Sequence, residues 1–390
     1  MEKNMARKIK VSIISMNLST NCTNRCLRLA RALETDYDVE LLGTTFGLGK
    51  NFGEGLWPPL QGEALEIKSV PGNYFPFYLW NMVRLVKLIS GDVIIACKPR
   101  LPSFGVALIA RAFKKIPVIL DVDDDELAQT EPGAKEKFRN FIRNPSGYWT
   151  TRFMHFFRKS QNATISVSKF FQEIYGGVIV PHGREIDELL PDSHNRNDVL
   201  RELGIDVSKK IVGFLGTPQA AKGVDNVLKA IDKLKDEDLL FLIVGGEPAD
   251  PYLGGLLESY PANLKIVGPQ PLSRMSYYYA AMDVIVLPQE NVSVSRGQMP
   301  AKLTDAMALA KPIIASKISD IPYYLEGCGK LVEPGNVNEL ANAIEWMFHN
   351  PDQAALLGSR ARKVFEEKMT TVTMKEVIRK EIDRCLGFSH

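Results

Sequence analysis

No run of eighteen apolar residues occurs in the chain, so the sequence holds no stretch suited to an ordinary membrane-spanning helix. Cysteine is scarce and odd in number. Cys22, Cys26, Cys97, Cys328 and Cys385 are scattered, which argues against a disulfide framework and for a reducing compartment, the cytoplasm. Cys22 and Cys26 stand four residues apart, but no second Cys/His pair completes a ligand set, so no metal is expected there. An excess of one charge sign is missing too: 48 basic against 46 acidic residues leaves +2, which gives no general attraction for nucleic acid. The opening "MEKNMARKIKVSIIS" has charge but only a short apolar run, and reads as a first strand rather than a signal peptide. Internal repeats and low-complexity segments are absent.

What is present is alternation. At 390 residues the chain is long enough for two domains, at roughly 150 residues each, with something over. Short β-branched runs alternate with longer helical patterns from end to end, the signature of parallel sheets made of βαβ units. In the first half the strands read as "KVSIIS", "DVELLG", "DVIIAC", "IPVILDV", "ATISVS" and "GVIVP". After a Pro-, His-, Asp- and Asn-rich stretch at 181–197 the pattern restarts with "KIVGFLG", "LLFLIVGG", "LKIVG", "DVIVLP" and "KPIIAS". The economical reading is two doubly wound, Rossmann-like domains: 1–185, then 186–370, with a helix at 371–390 crossing back to the first domain. In such sheets ligands bind beyond the carboxyl ends of the strands, where strand order reverses, so two of them facing each other enclose a cleft.

The unusual residues fall in loops after strands. In "GFLGTPQAAKGVDNVLKAI" a strand ends at Gly216 and a helix begins near Lys222 and Gly223. Free backbone N–H groups beside a lysine suit a diphosphate, although no Gly-Lys-Ser/Thr closes a Walker motif and Lys222 taken alone reads first as a solvated first-turn residue. Gly245 and Gly246 end a buried strand and allow a close approach, or a plain turn. In "SVSRGQMPAKLTDAMALAKP" Pro300 is placed for the first helical position, with Arg296, Gly297, Gln298 and Met299 in the loop before it and Lys302 just inside. Leu303, Ala306, Met307 and Ala310 form an inward stripe, which leaves Asp305 among small residues. An acid there is either a solvated helix residue or a grip for hydroxyls.

Taken in order, "GTPQAAKGVDNVLKAI", "FLIVGG", "LKIVGPQPLSRMSYYYAAMDVIVLP", "PAKLTDAMALAKPIIAS" and "GCGKLVEPGNVNELANAI" resemble the nucleotide-sugar-binding half of family-4 retaining glycosyltransferases of the GT-B fold, over residues 205–370. The resemblance implies transfer of a sugar from a nucleoside diphosphate donor to a hydroxyl acceptor, which is a glycan, a lipid or a small molecule. It implies no cofactor beyond that donor. Lys222 matches the family lysine on the diphosphate, with the Gly216–Thr217 turn in the same cradle. Asp305 stands where the family has the second glutamate of Glu-x7-Glu, on the ribose. Two departures stand out. The first motif glutamate falls on Gly297, and the family arginine five residues before the lysine falls on Thr217; Arg274, Arg296 and Lys302 are the candidate replacements.

In the first half, "IPVILDVDDDELAQ" ends a strand in Asp121, Asp123, Asp124, Asp125 and Glu126. Asp123 and Asp124 take the positions where the family often carries His-Asp near the reacting sugar. Acceptor positioning ranks first for them, charge at a helix start second, a metal third. Lys98 and Arg100, with Ser103 as a helix cap, share that rim and meet either an acidic or phosphate-bearing acceptor or the acids themselves. His182 and Gly183 lie at the domain join and are assigned to the acceptor side. Residues 135–159 hold seven Lys/Arg, one Glu and seven aromatics. Such a segment suits the anionic inner face of a membrane, or else packs its rings into the core.

Overall fold

The structure is a computed structural model and describes residues 7–46, 55–131, 143–191, 193–247 and 249–388. The chain divides into two compact units, 1–182 with 371–390, and 183–370.

The first unit holds a seven-stranded sheet: β1 (Lys10–Ser15), β2 (Asp38–Thr45), β3 (Glu66–Pro71), β4 (Val93–Cys97), β5 (Val118–Val122), β6 (Ala163–Ser166) and β7 (Val178–Ile179). All pairs are parallel, in the order β3-β2-β1-β4-β5-β6-β7. The order reverses between β1 and β4. Alternation along each strand sends Val11, Ile13, Leu41, Ile95, Ile119 and Ile165 to one face, where they are buried with the helix Asn24–Leu33 and with Met374, Ile378 and Ile382 of the terminal helix Thr371–Leu386. Each such aliphatic side chain contributes about 1.5–3 kcal/mol. The connections β3→β4, β4→β5 and β5→β6 all step in one direction, so right-handed crossover puts the helices Tyr78–Leu88, Val106–Lys114 and Tyr148–Phe156 on the opposite face.

The second unit holds β8 (Lys210–Leu215), β9 (Leu239–Val244), β10 (Leu264–Val267), β11 (Val284–Leu287), β12 (Ile313–Ser316) and β13 (Lys330–Val332), again all parallel, in the order β10-β9-β8-β11-β12-β13. Its core joins Val212, Phe214, Phe241, Ile243, Val286 and Ile314 to Val227 and Ile231 of the helix Val224–Leu234 and to Leu340 and Ile344 of Val337–His349. The switch point lies between β8 and β11.

Eleven strands were expected and two more are present, β3 and β13. Both are edge strands: β13 has only three residues, and "EIKSVP" is only partly buried and carries charges. An edge strand needs no continuous apolar run, so it gives no strong sequence signal. Among the described residues no helix is long and apolar enough to cross a membrane. Residues 135–142 of the basic, aromatic segment lie outside the described residues.

Candidate functional site

At the switch point of the second sheet two loops meet, one after β8 and one after β11. The β8 loop turns at Gly216 with φ +114°, a conformation open to glycine. It runs through a 3-10 turn, Ala220–Lys222, to Gly223 at φ +64°, which precedes the helix Val224–Leu234. A Cβ on Gly223 would sit 2.0 Å from the Pro288 carbonyl oxygen, so the glycine is what allows the two loops to touch. The contact is tied further by Glu290 N–H donating to Ala221 O (3.0 Å) and by Asn226 donating to the Glu290 carboxylate. Gly245, at the end of β9, closes the site from the other side: a Cβ there would lie 3.1 Å from the Gly216 backbone.

Two lysines converge on this turn. Lys222 Nζ donates to Gln298 Oε1, and Gln289 Nε2 approaches the same oxygen at 3.5 Å. Lys302, in the first turn of the helix Ala301–Ala308, lays its ammonium 3.8 Å from the centre of the Phe214 ring, where a Cβ on Gly216 would be 3.0 Å away. Burial, then the neighbouring Lys222 charge, press the Lys302 ammonium well below the usual lysine range, while Asp305 pulls it back up. Two amines held this close suit a diphosphate better than a single carboxylate, since a doubly charged anion offsets both the burial and their mutual repulsion. Pro300, expected as the first helical residue, is instead the extended residue before it, and the helix begins at Ala301.

Asp305 is partly exposed but not free. Arg184, 4% exposed, donates from Nε to Asp305 Oδ1 at 2.5 Å. The buried Tyr279 lies beside the pair and is raised in pKa by burial and by the Asp305 charge. Arg184 escaped the sequence reading, since an arginine after "VPHG" has no periodicity or motif to mark it; its only signal was its place beside the invited Gly183. Of the three candidate replacements for the missing arginine, Lys302 alone joins the Gly216 turn in this arrangement. Arg274 stacks on Tyr277 at 4.5 Å and Tyr278 at 5.5 Å, and the exposed Arg296 donates to Asn291 Oδ1 at 3.3 Å. Gly297 is buried, as is Met299, while Thr217 is exposed.

In the first unit a second polar cluster sits beyond the ends of β4 and β5. Lys98 adopts φ +71°, rare for a residue with a side chain. It is held by its N–H to Asp121 O (2.8 Å) and by the Ser103 hydroxyl donating to Lys98 O (2.7 Å). Ser103 was expected as a helix cap. It lies instead inside a wide turn, Leu101–Gly105, and its hydroxyl serves the lysine. So bent, Lys98 reaches Asp123 at 2.9 Å, Asp124 at 2.7 Å and Glu126 at 2.7 Å. Arg100 pairs with Glu126 and donates to Ser146 O at 2.7 Å. Those contacts favour pairing with the acids over a free rim of positive charge.

The acids of "DVDDDE" therefore divide by role. Asp121 takes a buried Arg25 at 3.0 Å, Asp125 caps the short helix Glu126–Thr130 by accepting from Ala128 N–H at 3.0 Å, and Asp123, Asp124 and Glu126 surround the Lys98 ammonium. The three carboxylates have ligand atoms near enough for one cation, and the cation they share is that ammonium. Burial raises the Asp123 carboxyl to about 7; Lys98 opposes the rise, and Asp124, Asp121 and Glu126 add to it. The same acids hold the Lys98 ammonium well above its ordinary range in spite of burial. His182 is half-buried and Gly183 buried, at the boundary of the two units.

Residues 195–364 match the family described as Glycosyl transferases group 1. The chain is 26% identical over 200 residues to a D-inositol 3-phosphate glycosyltransferase of Corynebacterium jeikeium, covering 47% of this chain and 46% of that protein. It is 32% identical over 108 residues to the probable glycosyltransferase WbjE of Pseudomonas aeruginosa, 27% of each chain. The chain thus spans about half the length of the first of these relatives, or less. Among solved structures it is similar to Anabaena Alr3699/HepE in complex with UDP and glucose, with a TM-score of 0.75 at 16% identity, over 96% of this chain and 100% of that one. It is likewise similar to a sucrose-phosphate synthase of Thermosynechococcus elongatus, with a TM-score of 0.74 at 17% identity, over 98% and 100%. The likeness to group 1 glycosyltransferases is thus carried by residues 195–364, somewhat less than half of the chain, while the two parallel α/β sheets are those of the GT-B fold.

Proposed function

We propose that this protein transfers a sugar from a nucleoside diphosphate sugar to a hydroxyl acceptor with retention of configuration. The observation that carries the reading is the convergence of Lys222 and Lys302 on the Gly216 turn at the β8/β11 switch point. With a diphosphate bound, the two ammonium groups answer the main electrostatic demand of the reaction, the negative charge that grows on the leaving group. In the proposed step the bond from the anomeric carbon to the phosphate oxygen breaks. The acceptor oxygen bonds to that carbon on the same face, and its proton passes to the departing phosphate. Asp305 holds the ribose hydroxyls, with Arg184 setting its orientation, and Asp123 and Asp124 position the acceptor. The similar Anabaena protein is described with UDP and glucose, which favours a uridine donor. A lipid-linked or polysaccharide precursor of the cell envelope, met at the inner face of a membrane, fits the acceptor.

The experiment is a panel of UDP-, GDP-, ADP- and TDP-sugars scored for released nucleoside diphosphate, with and without membrane extract. Release that depends on the extract supports transfer. The loss of a carboxylate at Gly297 and the occupied state of Asp305 favour one rival, a catalytically silent protein that binds sugar nucleotides. Tight nucleotide binding with no turnover of any donor would establish that rival. Conversion of a donor with no acceptor would identify an epimerase instead.

A further inference from the structure

The first unit carries a surface that the transfer reaction does not use. Helices Tyr78–Leu88 and Tyr148–Phe156 each have two apolar faces, and only one of each packs inward. Tyr78, Met82 and Leu85 are buried on the first helix, Thr151 and Met154 on the second. The other faces carry large exposed side chains. Trp80 is 71% exposed and Phe77, just before that helix, 69%, with Arg84 and Lys87 one and two turns beyond Trp80. On the second helix Trp149, Arg152, Phe153 and Phe156 recur at i, i+3, i+4 and i+7, and Phe156 is 80% exposed. Between them in sheet order lies Val106–Lys114, whose Phe113 is 82% exposed beside Lys114 and Lys115.

These helices share one side of the sheet and are tied to one another. Lys114 donates to Ile89 O at 2.7 Å, Arg111 donates to Ser160 O, and Arg143 donates to Phe75 O at 3.1 Å. The charge on this surface has one sign. The helices with their immediate flanks, 77–89, 106–116 and 147–160, hold eight Lys/Arg and no acid. Since the whole chain is only +2, this bias is a property of the face. Among the described residues none of Arg84, Lys87, Lys115, Arg152 and Lys159 is in an ion pair, so their charge is left for something outside the unit.

We propose that this three-helix face of the first unit is a docking surface for an anionic lipid bilayer. Phe77, Trp80, Phe113, Trp149 and Phe156 enter the headgroup boundary, and Arg84, Lys87, Lys115 and Arg152 meet the lipid phosphates. Exposed rings with basic residues and no acids between them match such a surface, where apolar burial and charge attraction add. The proposal assigns the membrane named above to particular residues, and it does not depend on which sugar is transferred.

The test is co-sedimentation of the purified chain with phosphatidylcholine vesicles, alone or with 30 mol% phosphatidylglycerol, at low and high salt. The expected result is strong binding to the anionic vesicles at low salt, weak binding to neutral ones, and loss with salt. Lys87→Gln and Arg152→Gln each lower the partition by about fivefold. Trp80→Ser with Phe156→Ser lowers it further, while thermal melting and nucleotide binding stay unchanged because the replaced side chains are exposed. Equal binding to both vesicles, binding to neither, or binding that survives these variants would overturn the proposal. So would a dimer in sedimentation equilibrium that the same variants dissociate in the absence of vesicle binding, since a second copy would then cover the face. Nucleotide binding measured in the same samples separates this outcome from failure of the transferase reading.

Discussion

Arg184 Nε lies 2.5 Å from Asp305 Oδ1, so the acid that the family motif assigns to a ribose is already bonded to a buried arginine. The two roles are compatible because a carboxylate accepts several hydrogen bonds, and only Oδ1 is engaged by this one. Asp305→Ala should weaken nucleoside diphosphate binding by roughly 1–3 kcal/mol, read by calorimetry. Arg184→Ala leaves the carboxylate without its partner and should cost about 3–5 kcal/mol of stability. If Asp305 served structure alone, both variants would lose stability and the folded fraction of Asp305→Ala would bind nucleotide as the native chain does.

Lys302 is expected to take up a proton when a diphosphate binds. Its ammonium is pressed below the usual lysine range by burial and by Lys222, and a bound diphosphate would favour the charged form. The sign follows. Below the lowered pKa Lys302 is already charged and affinity is pH-independent; above it, binding must supply a proton, and affinity falls by up to about tenfold per pH unit. Lys302→Arg should abolish that slope because a guanidinium stays charged. Lys302→Met should weaken binding at every pH. A slope that persists in the arginine variant would place the titrating group elsewhere.

Gly223→Ala tests whether the two loops must touch. The residue sits at φ +64° and the added methyl would meet Pro288 O at 2.0 Å, so the variant should lose at least about 2 kcal/mol of stability and bind nucleotide poorly even when folded. Gly255→Ala, in the helix Pro251–Ser259 where a Cβ meets nothing within 4 Å, is the control and should melt no lower than the native chain, since alanine favours a helix over glycine. Normal nucleotide affinity in Gly223→Ala would show that the loop contact is dispensable.

The Lys98 cluster predicts a response to pH and to cations. Asp123 titrates near 7 in the folded chain against 3.8 as its ordinary value, so the native state holds the extra proton between the two and stability falls as pH rises from about 4 to 7. Asp123→Asn should remove that fall in thermal melts. Lys98→Ala leaves Asp123, Asp124 and Glu126 together with no ammonium between them, and should melt lower by several degrees. Millimolar Mg²⁺ or Ca²⁺ should restore part of the loss, as oxygen ligands favour hard cations, and should leave the native chain unmoved. A native chain stabilised by Mg²⁺ would refute the view that Lys98 is the resident cation.

Much of the candidate site was legible in order along the chain. Gly216, Lys222, Gly245 and Gln298 were singled out from loops after strands, and Lys302 and Asp305 from the helix that follows one; in the second unit the β8 and β11 loops come together. Arg184 was not legible, because it acts across 121 residues of sequence and nothing local marks it. Arg274 and Arg296 looked equal to Lys302 in the sequence. A positive charge near a loop says nothing of its rotamer, and the first is held on tyrosine rings while the second bonds Asn291.

The sequence by itself determined the class of structure: β-branched runs of strand length, separated by helical patterns, can bury their apolar surface only as parallel sheets between helices. It also determined which turns must be glycine-rich and where an acid follows a lysine loop. Only the tertiary structure decided which charges meet. Lys98 could have faced an acceptor, yet its left-handed backbone and the Ser103 hydroxyl turn it onto Asp123, Asp124 and Glu126. Asp305 could have faced water, yet Arg184 reaches it from the far end of the second unit's chain. Such pairings depend on through-space distance and burial, to which local pattern is blind.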